Sequence, residues 1–127
     1  MRFVGSRPYV ALMSRLAQNV DVLTHSSFEE AHCMAVNEAI AIGMPVIGGL
    51  HNGRSPWALT FRRAGLLVDV DPPTSIAQGM RAMLQKNALR RALAQAGRER
   101  ALKEFHLEAV AKKYESVLEN AWQEQTR

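Results

Sequence analysis

Two glutamates, Glu30 and Glu38, stand on either side of a helix-like run in "HSSFEEAHCMAVNEAIAIGMPVIGG" (residues 25–49), which closes on paired glycines. Carboxylates in such a frame can accept hydrogen bonds from the hydroxyls of a polar ligand. Glycines at 48, 49 and 53 would let backbone N–H groups approach an anion closely, and a following helix start would add its partial positive charge. Taken alone, the pair has an ordinary explanation. Ser26 and Ser27 each precede a glutamate, Glu29 and Glu30, by the spacing of a capping box, and acids in a helix's first turn need no ligand. Glu38 reads equally well as a solvated position.

The elements that must position these residues follow from periodicity. "RFVG" (2–5) reads as a strand ended by glycine, and Pro8 suits the first turn of a helix over 8–18. "VDVLTH" (20–25) is a second strand. A helix is expected from Ser27 until Gly43 stops it as a C-terminal cap, followed by the short apolar strand "PVIGG". His51-Asn52-Gly53 is turn chemistry, with a short helix after Pro56. "AGLLVDV" (64–70) gives a fourth strand, and helices are expected over about 74–86, 88–103 and 106–123. Strands alternating with helices predict an α/β class: a partial Rossmann-like parallel sheet of about four strands, with helices on both faces and a helical C-terminal region. The whole chain, 1–127, reads as one partial domain, with sheet and ligand loops in 1–72 and a mainly helical part in 73–127.

In an open parallel sheet, ligands sit beyond the carboxyl ends of the strands. Here those places are 5–8, 24–30, 48–56 and 69–74, which collect hydroxyls, carboxylates, glycines, His25, His51, Asn52 and Arg54. That is the composition of a polar ligand site.

Composition bounds the partners. The chain has 127 residues, 47% of them hydrophobic and 22% charged, enough to bury roughly two thirds of its unfolded surface without metals or disulfides. Its one cysteine, Cys33, excludes a disulfide framework and reads as a small buried residue in a reducing cytoplasm. No run reaches the length of a membrane span, and the start lacks a secretory pattern. The net charge of +4 arises beyond residue 60. Acids interleave there with the basic residues and no aromatics alternate with them, so a solvated helical surface is favoured over nucleic-acid binding. The four histidines have no zinc-like spacing, and Asp69-Val70-Asp71 reads as a turn into a helix, so no metal is expected.

The order of these features resembles the donor-binding domain of the family-4 retaining glycosyltransferases (glycosyl transferases group 1, GT-B fold) over residues 3 to about 120. "VDVLTHSSFEEAHCMAVNEAIAIGMPVIGG" carries the strand, serine, first glutamate, "EA.A.G" helix and "PVI" strand without a gap. "RAGLLVDVDPPTSIAQGMRAML" is similar to the family's "G.LV...DP" segment, and "LAQAGRERALKEFHLEAVAKKYESVL" to its closing helices. The resemblance implies that Glu30 is the catalytic-site glutamate that contacts the donor sugar and that Glu38 accepts from the ribose hydroxyls. It implies that Gly48, Gly49, His51, Asn52 and Gly53 form the loop near the diphosphate, and that Arg7 passes the nucleobase. The donor would be a UDP- or GDP-sugar, with no other cofactor. The setting would be cytoplasmic, with peripheral attachment at the inner membrane surface as a variant.

Departures bear on the site. Ala31-His32-Cys33 replaces a Gly-Phe-Gly-like segment, and its side chains are expected to crowd the sugar. The domain's opening, with its diphosphate-binding Arg and Lys, has no counterpart, nor has the acceptor domain. In the doubly wound order the strands at 2–5 and 20–25 are not neighbours, so a rearranged sheet, a homo-oligomer or a partner domain filling the missing strands is expected. A fragment of this kind would bind donor weakly and turn over little or not at all. The alternative is a non-catalytic assembly module that needs a partner chain with the acceptor domain.

Overall fold

Val46-Ile47-Gly48-Gly49 is a run of four residues without an exposed position, and it becomes the middle strand of the sheet. The computed structural model describes residues 3–125. Three parallel strands lie side by side in chain order: β1 (Leu23–His25), β2 (Val46–Gly49) and β3 (Leu66–Val68), with Leu23 opposite Val46 and Ile47 opposite Leu66. Parallel neighbours require crossovers. The helix α2 (Met34–Ala41) connects β1 to β2, and the short α3 (Arg54–Ala58) connects β2 to β3. The helix α1 (Tyr9–Asn19) precedes β1, and α4 (Pro73–Gln85), α5 (Asn87–Glu104) and α6 (Leu107–Gln125) follow β3.

The strand expected at 2–5 is not formed over the described residues 3–5; Arg2 lies outside them. A strand exists through its ladder of hydrogen bonds, and no neighbour stands beside this segment. Phe3 is accordingly 85% exposed. The sheet therefore has three strands, and β1 is an edge among the described residues. Helix α1 sits at the place read from Pro8 and the apolar spacing, yet buries no residue completely.

The core lies between the sheet and its helices. Val36, Ala39 and Ile40 of α2 pack with Met44, Val46, Leu59 and Leu67 on one side of the sheet. Ile47, Met83 of α4 and Leu93 of α5 form a second cluster. Each fully buried aliphatic side chain contributes about 1.5–3 kcal/mol. Helix α2 ends as its sequence predicts: Gly43 at φ +76° donates its N–H to Ile40 O (3.0 Å), and Met44 N–H donates to Ala39 O (2.9 Å), a Schellman pair. Helix α5 crosses α2 closely at Gly97, where a Cβ would stand 3.1 Å from both Ala64 O and Ile40 Cγ2.

Helix α6 differs from the rest. It buries no residue completely, and Leu107, Tyr114, Val117 and Leu118 stay exposed along it. An ion pair from Lys113 Nζ to Glu104 Oε2 (3.1 Å) joins it to the end of α5. Layering of this kind predicts contrasting truncations. Ile40→Ala should lower unfolding stability by about 2–5 kcal/mol in urea titrations, whereas Leu118→Ala should change it by no more than about 0.5 kcal/mol. Equal losses would show that α6 is packed as tightly as the core.

Candidate functional site

Two loops leave the carboxyl ends of β1 and β2 and are tied to each other. Glu30 N–H donates to Asn52 O (2.9 Å), forming a parallel bridge between Glu30 and Gly53. Asn52, 1% exposed, completes the tie with its side chain. Its Nδ2 donates to Ser27 O (3.2 Å) and Ser55 Oγ (2.9 Å), and its Oδ1 accepts from Ser55 N–H (3.1 Å). The side chain is thus fully engaged within the protein, and Asn52 serves the site by holding the loops.

The helix expected from Ser27 begins only at Met34. Ser27 Oγ donates instead to Glu29 O (2.6 Å), so no capping box forms. Glu30 braces the turn ahead of the helix, its Oε1 accepting from Cys33 N–H (3.1 Å) and His32 N–H (3.3 Å). Its Oε2 lies 3.0 Å from His25 Nε2. The Cys33 amide first, then the His32 amide, hold the Glu30 carboxyl below its usual value, with His25 adding to them against partial burial. Glu30 is therefore an oriented anion at neutral pH.

Cys33 occupies the position where glycine was expected on the resemblance, and its φ of 54° shows why. The left-handed conformation is free for glycine and costs other residues about 1–2 kcal/mol. The side chain turns inward, 1% exposed, with Sγ 3.3 Å from Ser55 Oγ, while Ala31 and His32 remain at the surface. Burial pushes the thiol's pKa up, which matches a residue that is not a nucleophile.

Glu38 lies on α2 in a groove of about 870 Å³ between α1, α2 and α6, with Tyr9, His32, Trp57 and Tyr114 also lining it. The Tyr9 phenol is pushed up, first by partial burial and then by the Glu38 charge and a hydrogen bond to it. Glu30 lines a different hollow of about 520 Å³, with Phe28, Ala31, His51 and Gly53. The segment Ala31–His32 separates the two, contributing one residue to each.

The other expected residues divide. His51 and Gly53, the latter at φ +85°, border the smaller hollow. Gly48 and Gly49 are buried, and a Cβ on either would stand 2.9 Å from Leu59 Cδ1 or Asn52 Nδ2, so they are small because α3 and its loop pack on them. Arg7 is exposed, donates from Nε to Val4 O (3.1 Å) and borders neither hollow. Tyr9 was missed, and His25 and Arg54 were seen only as members of the polar loops. The contact of His25 with Glu30 needs the fold. Tyr9 meets Glu38 through the packing of α1 against α2, for which the sequence offers no signal. Arg54 stacks its guanidinium 3.9 Å from the Trp57 ring centre, and its buried Nε has no hydrogen-bond partner. Asp69 and Asp71 form the expected turn, Asp69 Oδ1 accepting from Asp71 N–H (3.3 Å) just ahead of α4.

Parallel strands with helices on both faces and polar loops gathered at one rim define an α/β domain of the GT-B type. The chain belongs to the glycosyl transferases group 1, whose family model matches residues 1–100. It is 30% identical over 122 residues to the lipopolysaccharide core biosynthesis glycosyltransferase LpsE of Rhizobium meliloti, covering 93% of this chain and 34% of that protein. It is 32% identical over 121 residues to the D-inositol 3-phosphate glycosyltransferase of Corynebacterium diphtheriae, covering 95% and 28%. The chain thus spans about a third of the length of these relatives. Its fold matches sucrose-phosphate synthase from Thermosynechococcus elongatus with a TM-score of 0.82 at 26% identity, over 96% of this chain and 30% of that one. It also matches Anabaena HepE, solved with UDP and glucose, with a TM-score of 0.80 at 18% identity, over 94% and 32%.

The site's wiring yields two predictions. Asn52→Ala leaves Ser55 N–H and Ser27 O without partners and should cost about 1–3 kcal/mol in urea unfolding; an unchanged midpoint would show that the tie carries no stability. Glu30 has a folded pKa below the usual 4.5, so the unfolded chain binds the proton more readily. Its contribution is complete above about 4.5 and is lost as pH falls through the lowered folded value. The stability gap between wild type and Glu30→Gln should therefore narrow below pH 4.5, and a constant gap would contradict the hydrogen-bonded carboxylate.

Proposed function

We propose that this chain carries the donor half-site of a family-4-type retaining glycosyltransferase, corresponding to the C-terminal, nucleotide-sugar-binding domain of such enzymes. The observation that carries this reading is Glu30, an anion fixed between two polar loops and backed by the start of the helix that also bears Glu38. In this reading Glu30 accepts hydrogen bonds from hydroxyls of the donor sugar in the smaller hollow, and Glu38 accepts from ribose hydroxyls in the larger groove. The diphosphate crosses the Ala31–His32 ridge. There the amides of Met34, Ala35 and Val36 precede the first helical bond, Asn37 N–H to Cys33 O (3.0 Å), and offer N–H groups toward an anion. His51 and the Gly53 backbone border the sugar end, and Arg7 lies outside the two hollows.

In the parent reaction the nucleoside diphosphate leaves as positive charge develops on the sugar, and fixed donors stabilise the leaving anion. The present chain supplies only part of that set. The acceptor side and further cations for the diphosphate would come from other segments or a partner domain, and the open edge of β1 is where the missing strands would join. Weak donor binding and little or no turnover follow for the chain alone. No described helix is long and apolar enough to cross a membrane, which suits an enzyme meeting its nucleotide sugar in the cytoplasm.

A second reading, an assembly module without catalysis, draws on the unfilled β1 edge and the exposed apolar face of α6. It predicts association with a partner chain and indifference to nucleotide sugars. Ligand-observed NMR with UDP- and GDP-sugars separates the two. The donor reading predicts binding that is lost in Glu38→Ala while the circular dichroism spectrum is kept; unchanged affinity in that variant rules out the ribose role.

A further inference from the structure

Side chains of three ligand types meet where the loop after β1 turns into α2. His25 Nε2, Glu30 Oε2 and Cys33 Sγ all lie within 4.8 Å of one another. They come from the end of β1, the loop after it and the residue that caps α2, so the grouping is a product of the fold. We propose that His25, Glu30 and Cys33 form a binding site for a borderline divalent transition cation of the Zn²⁺ class. This inference needs no nucleotide sugar, and an ion here would compete with the donor sugar for Glu30.

Geometry and chemistry agree on the cation. Two N/O ligands bound to one tetrahedral zinc at about 2.0–2.1 Å stand roughly 3.3 Å apart. His25 Nε2 and Glu30 Oε2 are already 3.0 Å apart, with a proton between them that an ion would replace. Sulfur bonds zinc at about 2.3 Å, and Cys33 Sγ lies within 4.8 Å of both other ligand atoms. Imidazole, thiolate and a single carboxylate suit zinc or cobalt, and are poorly matched to magnesium or calcium, which take oxygen donors.

The supporting shell is in place. Amides of His32 and Cys33 hold the other Glu30 oxygen and so aim Oε2. Ser55 Oγ lies 3.3 Å from Cys33 Sγ and itself accepts from Asn52 Nδ2 at 2.9 Å, leaving the Ser55 proton free to point at sulfur. Such outer partners fix ligand orientation and strengthen binding. The His25 and Glu30 side chains are 21% and 25% exposed, so an ion has an approach from the solvent side and a fourth position open to water. On binding, the Cys33 thiol proton passes to solvent, the imidazole exchanges its Nε2 proton for one on Nδ1 and stays neutral, and no redox change occurs. A bound ion would also occupy Glu30 Oε2, the oxygen now paired with His25.

Titration of the reduced chain with Co²⁺ tests the site directly. The expected result is one equivalent bound, with a near-ultraviolet sulfur-to-cobalt absorption band that Zn²⁺ abolishes by displacement. Cys33→Ser should remove the band. Because that variant could lose its fold, His25→Ala provides a second reading: it keeps the sulfur, and affinity should fall by about tenfold or more. Absence of the band at stoichiometric Co²⁺ overturns the proposal. So does binding that His25→Ala leaves unchanged, which would assign the ion to surface histidines such as His51 or His106.

Discussion

One buried side chain joins the two loops that build the mouth of this domain. Asn52 bonds Ser27 O and Ser55 on either side, and its own carbonyl oxygen receives the Glu30 amide. The loops after β1 and β2 would otherwise be free surface connections. Held together, they fix the backbone of Glu30, and from that anchor its carboxylate can reach back to the amides of His32 and Cys33. The glutamate's backbone position therefore depends on an asparagine that is itself almost sealed from solvent. Small residues complete the arrangement: Gly48 and Gly49 leave room for Leu59, Ser55 and Asn52 to close over the end of β2.

The same constraint divides the surface. With Glu30 turned back onto the start of α2, Ala31 and His32 rise between the smaller hollow and the groove that holds Glu38. A ligand that engages both carboxylates has to be extended and has to pass over the helix start. An activated sugar joined to a nucleoside through a diphosphate has that form, with hydroxyls at both ends and the anion in the middle. The chain belongs to the glycosyl transferases group 1 and spans about a third of the length of its curated relatives.

Much of the architecture was legible because it rests on local chemistry. Gly43 after an apolar helical run, the apolar "PVIGG", and Pro72-Pro73 before α4 each mark a boundary that the fold keeps. The errors fall where distant partners decide. "RFVG" has strand composition, but its residues 3–5 pair with no strand among the described residues. Ser27 and Glu30 have capping-box spacing, yet Asn52, 25 residues beyond Ser27, draws that loop into an extended bridge and delays the helix to Met34. The close packing of Leu59 and Asn52 on Gly48 and Gly49 likewise comes from the fold. His25 and Tyr9 acquire their meaning only from tertiary contacts with Glu30 and Glu38.

The central claim is that both carboxylates belong to one ligand path crossing the start of α2. Amide shift mapping of the ¹⁵N-labelled chain during addition of UDP- and GDP-sugars tests it most directly. The account predicts coupled shifts in residues 27–33, in 51–54 and around Glu38 for at least one donor, at a common midpoint. Shifts confined to α6, or none from any of these sugars while the spectrum stays that of a folded protein, would contradict it.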